Sequence, residues 1–130
     1  MSDYYTPGVC NINEKEVAYR KKAFYLGLGI GVPLLAVLVA TKANPILGLA
    51  MFVPAWIGAI GYLQAKYMFC IGYAAGGIHS SSDEYGDTRE VVEAASRKLD
   101  AKRARKINLQ SLTVGAVVAV TSVLLLIVFS

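Results

Sequence analysis

The sequence predicts an all-α integral membrane protein: three transmembrane helices, with a cytoplasmic amphipathic helix before the third. Three observations predict it. Of the 130 residues, 55% are hydrophobic and only 17% charged. The charge is gathered into blocks instead of being spread over a surface. Between the blocks run three uncharged stretches, Ala23 to Thr41, Ala43 to Ala65 and Ile107 to Ser130. Each is close to the roughly 20 residues that cross about 30 Å of hydrocarbon at 1.5 Å per residue. Helices are the structure to expect there, because hydrocarbon offers no partner for free backbone groups and barrel strands would alternate in polarity. The same composition argues against a soluble enzyme, a disordered chain and a disulfide-dense secreted module.

Residues 1–22 read as a polar cytoplasmic segment with no hydrophobic signal-peptide core. Asn11-x-x-Glu14 and Asn13-x-x-Glu16 both fit a helix-capping box, so the first helix should start before the membrane and run through Lys21-Lys22 into a span over 23–41. Pro33 predicts a kink inside it. Asn44-Pro45 is turn-like. The second helix is expected over 45–75, leaving the membrane near Lys66, whose stem can lie along apolar surface while its ammonium reaches the headgroups. Gly76-Gly77 should end it. Residues 79–106 form the connection: a turn-like acidic run from His79 to Gly86, then Asp87-Thr88-Arg89-Glu90 as a second capping pattern opening a helix. Val91, Val92, Ala95 and Leu99 would give that helix a weak apolar face. It should lead into the third span over 107–130.

The net charge of +4 becomes informative once its members are placed. Lys15, Arg20, Lys21 and Lys22 precede the first span, Lys42 alone lies between the first two, and eight basic residues lie from Lys66 to Lys106. This asymmetry predicts a cytoplasmic N-terminus and an external C-terminus in a cell inner membrane. The run Lys102, Arg103, Arg105, Lys106 has two physically overlapping readings. It is the positive flank that fixes the orientation of the third span, or a contact for anionic lipid headgroups. No nucleic-acid partner is expected, since no aromatic residues interleave with the basic run.

Cys10, Cys70 and His79 are the candidate metal residues. All three should lie near the cytoplasmic interface, and with Glu14 or Asp83 they would suit zinc or another thiophilic metal. The plainer reading is two small buried thiols and a loop histidine. Gly27, Gly31, Gly58, Gly61, Gly72 and Gly76 are candidate helix-packing positions, since small residues let backbones approach where no hydrophobic effect drives association. Gln64 is the candidate interhelical hydrogen-bonder. Tyr67, Phe69 and Tyr73 could wall a site for lipid or an apolar small molecule, though core packing explains them equally well. No Asp, Glu, Lys, Arg or His lies deep in a span, which counts against an ion pathway. No serine-hydrolase, zinc-protease or phosphate-loop motif is present, so no catalytic residue and no resident cofactor is expected.

The run Gly8-Val9-Cys10-Asn11-Ile12-x-x-x-Glu16, followed by Arg20-Lys21-Lys22, resembles the opening of a family of small bacterial three-helix inner-membrane proteins. The resemblance continues loosely at Phe52-x-Pro54, Gln64 and Phe69-Cys70, and then through the basic segment before the last span. It implies no assigned activity, and it implies that Cys10 and Cys70 belong to one site. The expected function is non-enzymatic: association, as a homo-oligomer or an accessory subunit of a larger membrane complex. The alternative is a metal- or thiol-redox-responsive membrane protein.

Overall fold

The computed structural model describes residues 5–82 and 84–129. It is mostly helical. Three helical segments are long and apolar enough to cross a membrane: Glu14–Ala40, Pro45–Lys66 and Ala94–Phe129.

Asn13 opens α1 (Glu14–Ala40), its side chain accepting the Glu16 N–H at 2.9 Å. Only half of the capping box forms. The Asn13 N–H donates to Ser80 Oγ, and the Glu16 carboxylate goes to other partners. The helix continues without a break through Lys21-Lys22 and contains Pro33. Lys42, in the left-handed region at φ 51°, turns the chain. Asn44 then accepts the Ile46 N–H and, with Pro45, starts a 3-10 helix (Pro45–Met51) leading into α2 (Phe52–Lys66).

The single helix expected over 45–75 does not form. Beyond Lys66, Met68 adopts φ 51°, and the chain restarts as the short α3 (Ile71–Gly76). The break has a physical cause. It turns Phe69 fully into a core with Ala74, Ala104 and Ile107, against which Leu63, Tyr67 and Ile71 pack. Helical hydrogen bonds lost at the break are replaced by side chains, as buried amides require. Gly77, at φ 67°, ends α3.

The connection that follows departs from the all-α expectation. Strand β1 (Ile78–Ser80) pairs antiparallel with β2 (Thr88–Glu90), with His79 opposite Arg89. The capping pattern at 87–90 is therefore strand, not helix start. Helix α4 (Ala94–Phe129) begins later and runs unbroken through the basic run into the apolar stretch. Its inward seam is Ser96, Asp100, Ala104, Ile107, Ser111, Gly115, Ala119, Ser122 and Leu126, at steps of three and four. The expected face of Val91, Val92, Ala95 and Leu99 is thereby corrected. Val91 is buried before the helix begins, while Val92 is 87% and Leu99 50% exposed. Asp100 faces inward instead, because two donors from the N-terminal segment meet it there.

Two seams of close approach hold the bundle together. A Cβ on Gly27 would lie 2.6 Å from the Pro54 carbonyl oxygen, and one on Gly61 would lie 2.7 Å from Ala23 Cβ, so α1 and α2 touch backbone to backbone. On the other side, a Cβ on Gly48 would lie 2.7 Å from Val123 N, and one on Gly115 2.9 Å from the Phe52 ring. Helix α2 with its 3-10 lead thus sits between α1 and α4. The polar head of the bundle comprises the N-terminal segment, α3, the β-hairpin and the first turns of α4.

Candidate functional site

The head is built around buried polar side chains. Thr6 to Cys10 closes a tight turn, with the Thr6 and Cys10 amides each bonded to the other residue's carbonyl. The turn docks on α4 through Asp100, which accepts the Tyr5 hydroxyl and the Gly8 N–H, each at 2.8 Å. Tyr5 also stacks on His79, with ring centroids 4.2 Å apart. Burial first, and then the Asp100 hydrogen bond, push the Tyr5 phenol above its usual range, so it remains a donor.

Asn11 clasps the break between α2 and α3. Its Oδ1 accepts the Cys70 N–H at 2.6 Å and its Nδ2 donates to the Cys70 carbonyl at 3.1 Å. Its backbone does the same work, donating to the Met68 carbonyl and accepting from the Ser80 N–H. Asn11 is therefore not the helix cap expected of it. Asn13 Nδ2 reaches the carbonyls of Ser82 and Glu84, holding the hairpin loop.

Glu16 is fully buried on the first turn of α1. Its Oε1 accepts the Tyr73 hydroxyl at 2.6 Å and the Gly86 N–H at 3.0 Å, and its Oε2 accepts Arg20 Nη1 at 2.7 Å. A buried ion pair persists only when its remaining hydrogen-bonding positions are filled, and here they are. The second Arg20 terminal nitrogen donates to Cys70 Sγ at 2.9 Å. Burial, and then the Glu16 hydrogen bond, hold the Tyr73 phenol above its usual range. The cluster's donors and acceptors satisfy one another, which suits a strut between α1, α3 and the hairpin loop. Cys70 Sγ therefore serves as the acceptor for a guanidinium, which is a donor only.

The predicted site residues fare differently. Cys10, Cys70 and His79 do not gather: among the described residues no three His, Cys, Asp or Glu could hold a metal ion. Cys70 is taken by Arg20, and His79 by Tyr5 and, through Nδ1, the Ser80 carbonyl. Asp83, offered as a fourth ligand, lies outside the described residues. Gly27, Gly31, Gly58 and Gly61 line the seam between α1 and α2. Gly72 and Gly76 do not join it. They are exposed on α3, with only Cys70 Sγ and Ile78 within 4 Å of an added Cβ. Gln64 bonds no neighbouring span. Its Oε1 accepts the Ile71 N–H at 2.9 Å and so starts α3. The aromatic wall of Tyr67, Phe69 and Tyr73 is dispersed, since Phe69 is core, Tyr67 lies under Arg103 and Tyr73 bonds Glu16.

The sequence did not reveal Asp100 or Tyr5, and it showed Glu16 only as a capping residue and Arg20 only as a flanking charge, not as a buried pair. One signal was available: Glu16 and Arg20 stand four apart, the spacing of an ion pair on a helix face. Nothing local marks Asp100 as buried.

Two surface features complete the inventory. An apolar crevice of about 480 Å³ lies between the three long segments, with walls from Gly31 and Leu35 of α1, Gly58 and Ala59 of α2, and Val114 and Val118 of α4. A second pocket, of about 580 Å³, flanks the start of α4 and is lined by Gly8, Leu99, Leu109 and the four cations Lys102, Arg103, Arg105 and Lys106. No protein-family model, no curated protein and no solved structure matches this chain.

Proposed function

We propose that this chain is a non-enzymatic, multi-pass inner-membrane protein that acts by association, as a homo-oligomer or an accessory subunit of a larger membrane complex. The observation that carries this reading is the apolar crevice between α1, α2 and α4, which lies level with the uncharged stretches. Its lining includes small residues, among them Gly31, Gly58 and Ala59, the kind of surface on which helices meet in lipid. The bundle is also thin. Even the most enclosed of the three apolar segments has only 28% of its most apolar window buried within the chain, leaving wide faces for a partner.

Native mass spectrometry of the protein extracted in mild detergent, paired with cysteine-independent crosslinking in membranes, tests the proposal. The expected result is a defined homo-oligomer or a stoichiometric co-purifying subunit. Introducing Ala59→Trp into the crevice should weaken that assembly. A protein that is strictly monomeric and partnerless in both measurements would overturn it.

A further inference from the structure

The pocket beside the first turns of α4 is a surface that the association reading does not use. Four cations line it and no carboxylate does. Among the described residues none of Lys102, Arg103, Arg105 or Lys106 has an ion-pair partner; the ion pairs there join Lys15 to Glu84, Arg20 to Glu16 and Arg97 to Glu90. The concentration of like charge is therefore uncompensated, and it is also held in shape. Arg103 lies over the Tyr67 ring at 4.4 Å, with its Nε buried and without a hydrogen-bond partner. The opposite wall is the turn at Gly8, pinned to α4 by the Asp100 carboxylate. A Cβ there would lie 3.2 Å from Leu99 Cβ, so the wall stands directly against the helix.

Position says what the cations face. Lys106 is the last charged residue of the chain, and everything beyond it on α4 is uncharged. Leu99, Lys102, Lys106 and Leu109 share one face of the helix at steps of three and four, so the cationic band is bordered by leucines, with Leu109 63% exposed on the apolar side. A phosphate bound among the cations would place its attached acyl chains along Leu109. We propose that this pocket binds the phosphate-bearing headgroup of an anionic phospholipid from the surrounding leaflet. A flank that only orients a span needs charge and no shape. This site has both.

The test is lipid retention by the full chain, measured by native mass spectrometry after release from nanodiscs containing phosphatidylglycerol or phosphatidylcholine. Wild type should retain phosphatidylglycerol in preference to phosphatidylcholine. Each exposed pocket cation removed should cost roughly fivefold in retention, so Lys102→Gln with Arg105→Gln and Lys106→Gln together should lose roughly a hundredfold. The milder Lys106→Gln alone should show the single step, and Lys102→Arg with Lys106→Arg should retain wild-type binding. Lys21→Gln with Lys22→Gln, which removes two exposed cations outside the pocket, should leave retention unchanged. Equal loss in that control, no preference for the anionic lipid, or displacement of the lipid by millimolar inorganic phosphate would each overturn the proposal. It rests on the chain being an integral membrane protein, which resistance to carbonate extraction reports separately.

Discussion

Both ends of the Asn11 carboxamide meet one residue, Cys70, and this makes Asn11 the most consequential single side chain of the head. It is wholly buried, and it satisfies the Cys70 N–H, which the break between α2 and α3 has left without a helical partner, while adding a second donor to the Cys70 carbonyl beside the Ala74 N–H. Replacing it by alanine strands the Cys70 N–H away from water, while the Cys70 carbonyl keeps the Ala74 N–H. An unsatisfied buried group costs about 1–3 kcal/mol, so Asn11→Ala should destabilise the head by about that amount. A local readout exists because Cys70 is only 6% exposed. In a Cys10→Ser background, alkylation of Cys70 by a membrane-impermeant maleimide should be slow in the parent and at least tenfold faster with Asn11→Ala. Unchanged labelling would mean that the clasp is not what closes the head. The element Cys-Asn-Ile thus has a physical meaning different from the one its cysteine suggests: the asparagine and Ile12 are the buried members, and Cys10 is half-exposed.

Elements were legible in the sequence where one local property decided them, and illegible where a distant side chain did. The three apolar stretches needed only length and absence of charge, and the start of α1 needed only Asn13. The break after Lys66 depends on Asn11 and on the Phe69–Ile107 core, contacts that no window around Tyr67 contains. The strand at Thr88–Glu90 arises because Ile78–Ser80 offers it an edge, and the Asp87-to-Glu90 capping pattern gives no hint of that. The glycines show the same division. Gly27 and Gly29 look alike in the sequence, yet an added Cβ on Gly27 would lie within 2.7 Å of α2 backbone atoms, whereas one on Gly29 would meet nothing within 4 Å. Gly27→Ala should therefore push α1 off α2, at a cost of about 1–3 kcal/mol from overpacking. Gly29→Ala should be neutral, or slightly stabilising through the better helix propensity of alanine. Steric-trap or denaturant unfolding in detergent would rank the two. A Gly29→Ala variant as damaged as Gly27→Ala would show that the seam lies elsewhere.

At the scale of the whole molecule, the fold gathers charge that the chain distributes over more than ninety residues. Lys15, Arg20, Lys21 and Lys22 lie on the first turns of α1, Lys66 ends α2, and the remaining seven cations follow from Arg89 to Lys106 on β2 and the first turns of α4. All twelve are therefore carried by the head or by the helix ends that join it. Lys42 is alone at the opposite turn, between α1 and the 3-10 helix. This asymmetry predicts one strongly favoured orientation in a bilayer, since cationic flanks are retained on the cytoplasmic side. The expected outcome is specific. Alkaline phosphatase fused after Ser130 should be active and a green fluorescent protein fused there dark, while fusions within the 79–93 connection should behave oppositely. Because the difference is twelve against one, adding two lysines beside Lys42 should leave the orientation unchanged. Reversal by so small an addition would mean that something other than the charge at the head sets the topology, and an active phosphatase in the 79–93 connection would refute the orientation outright.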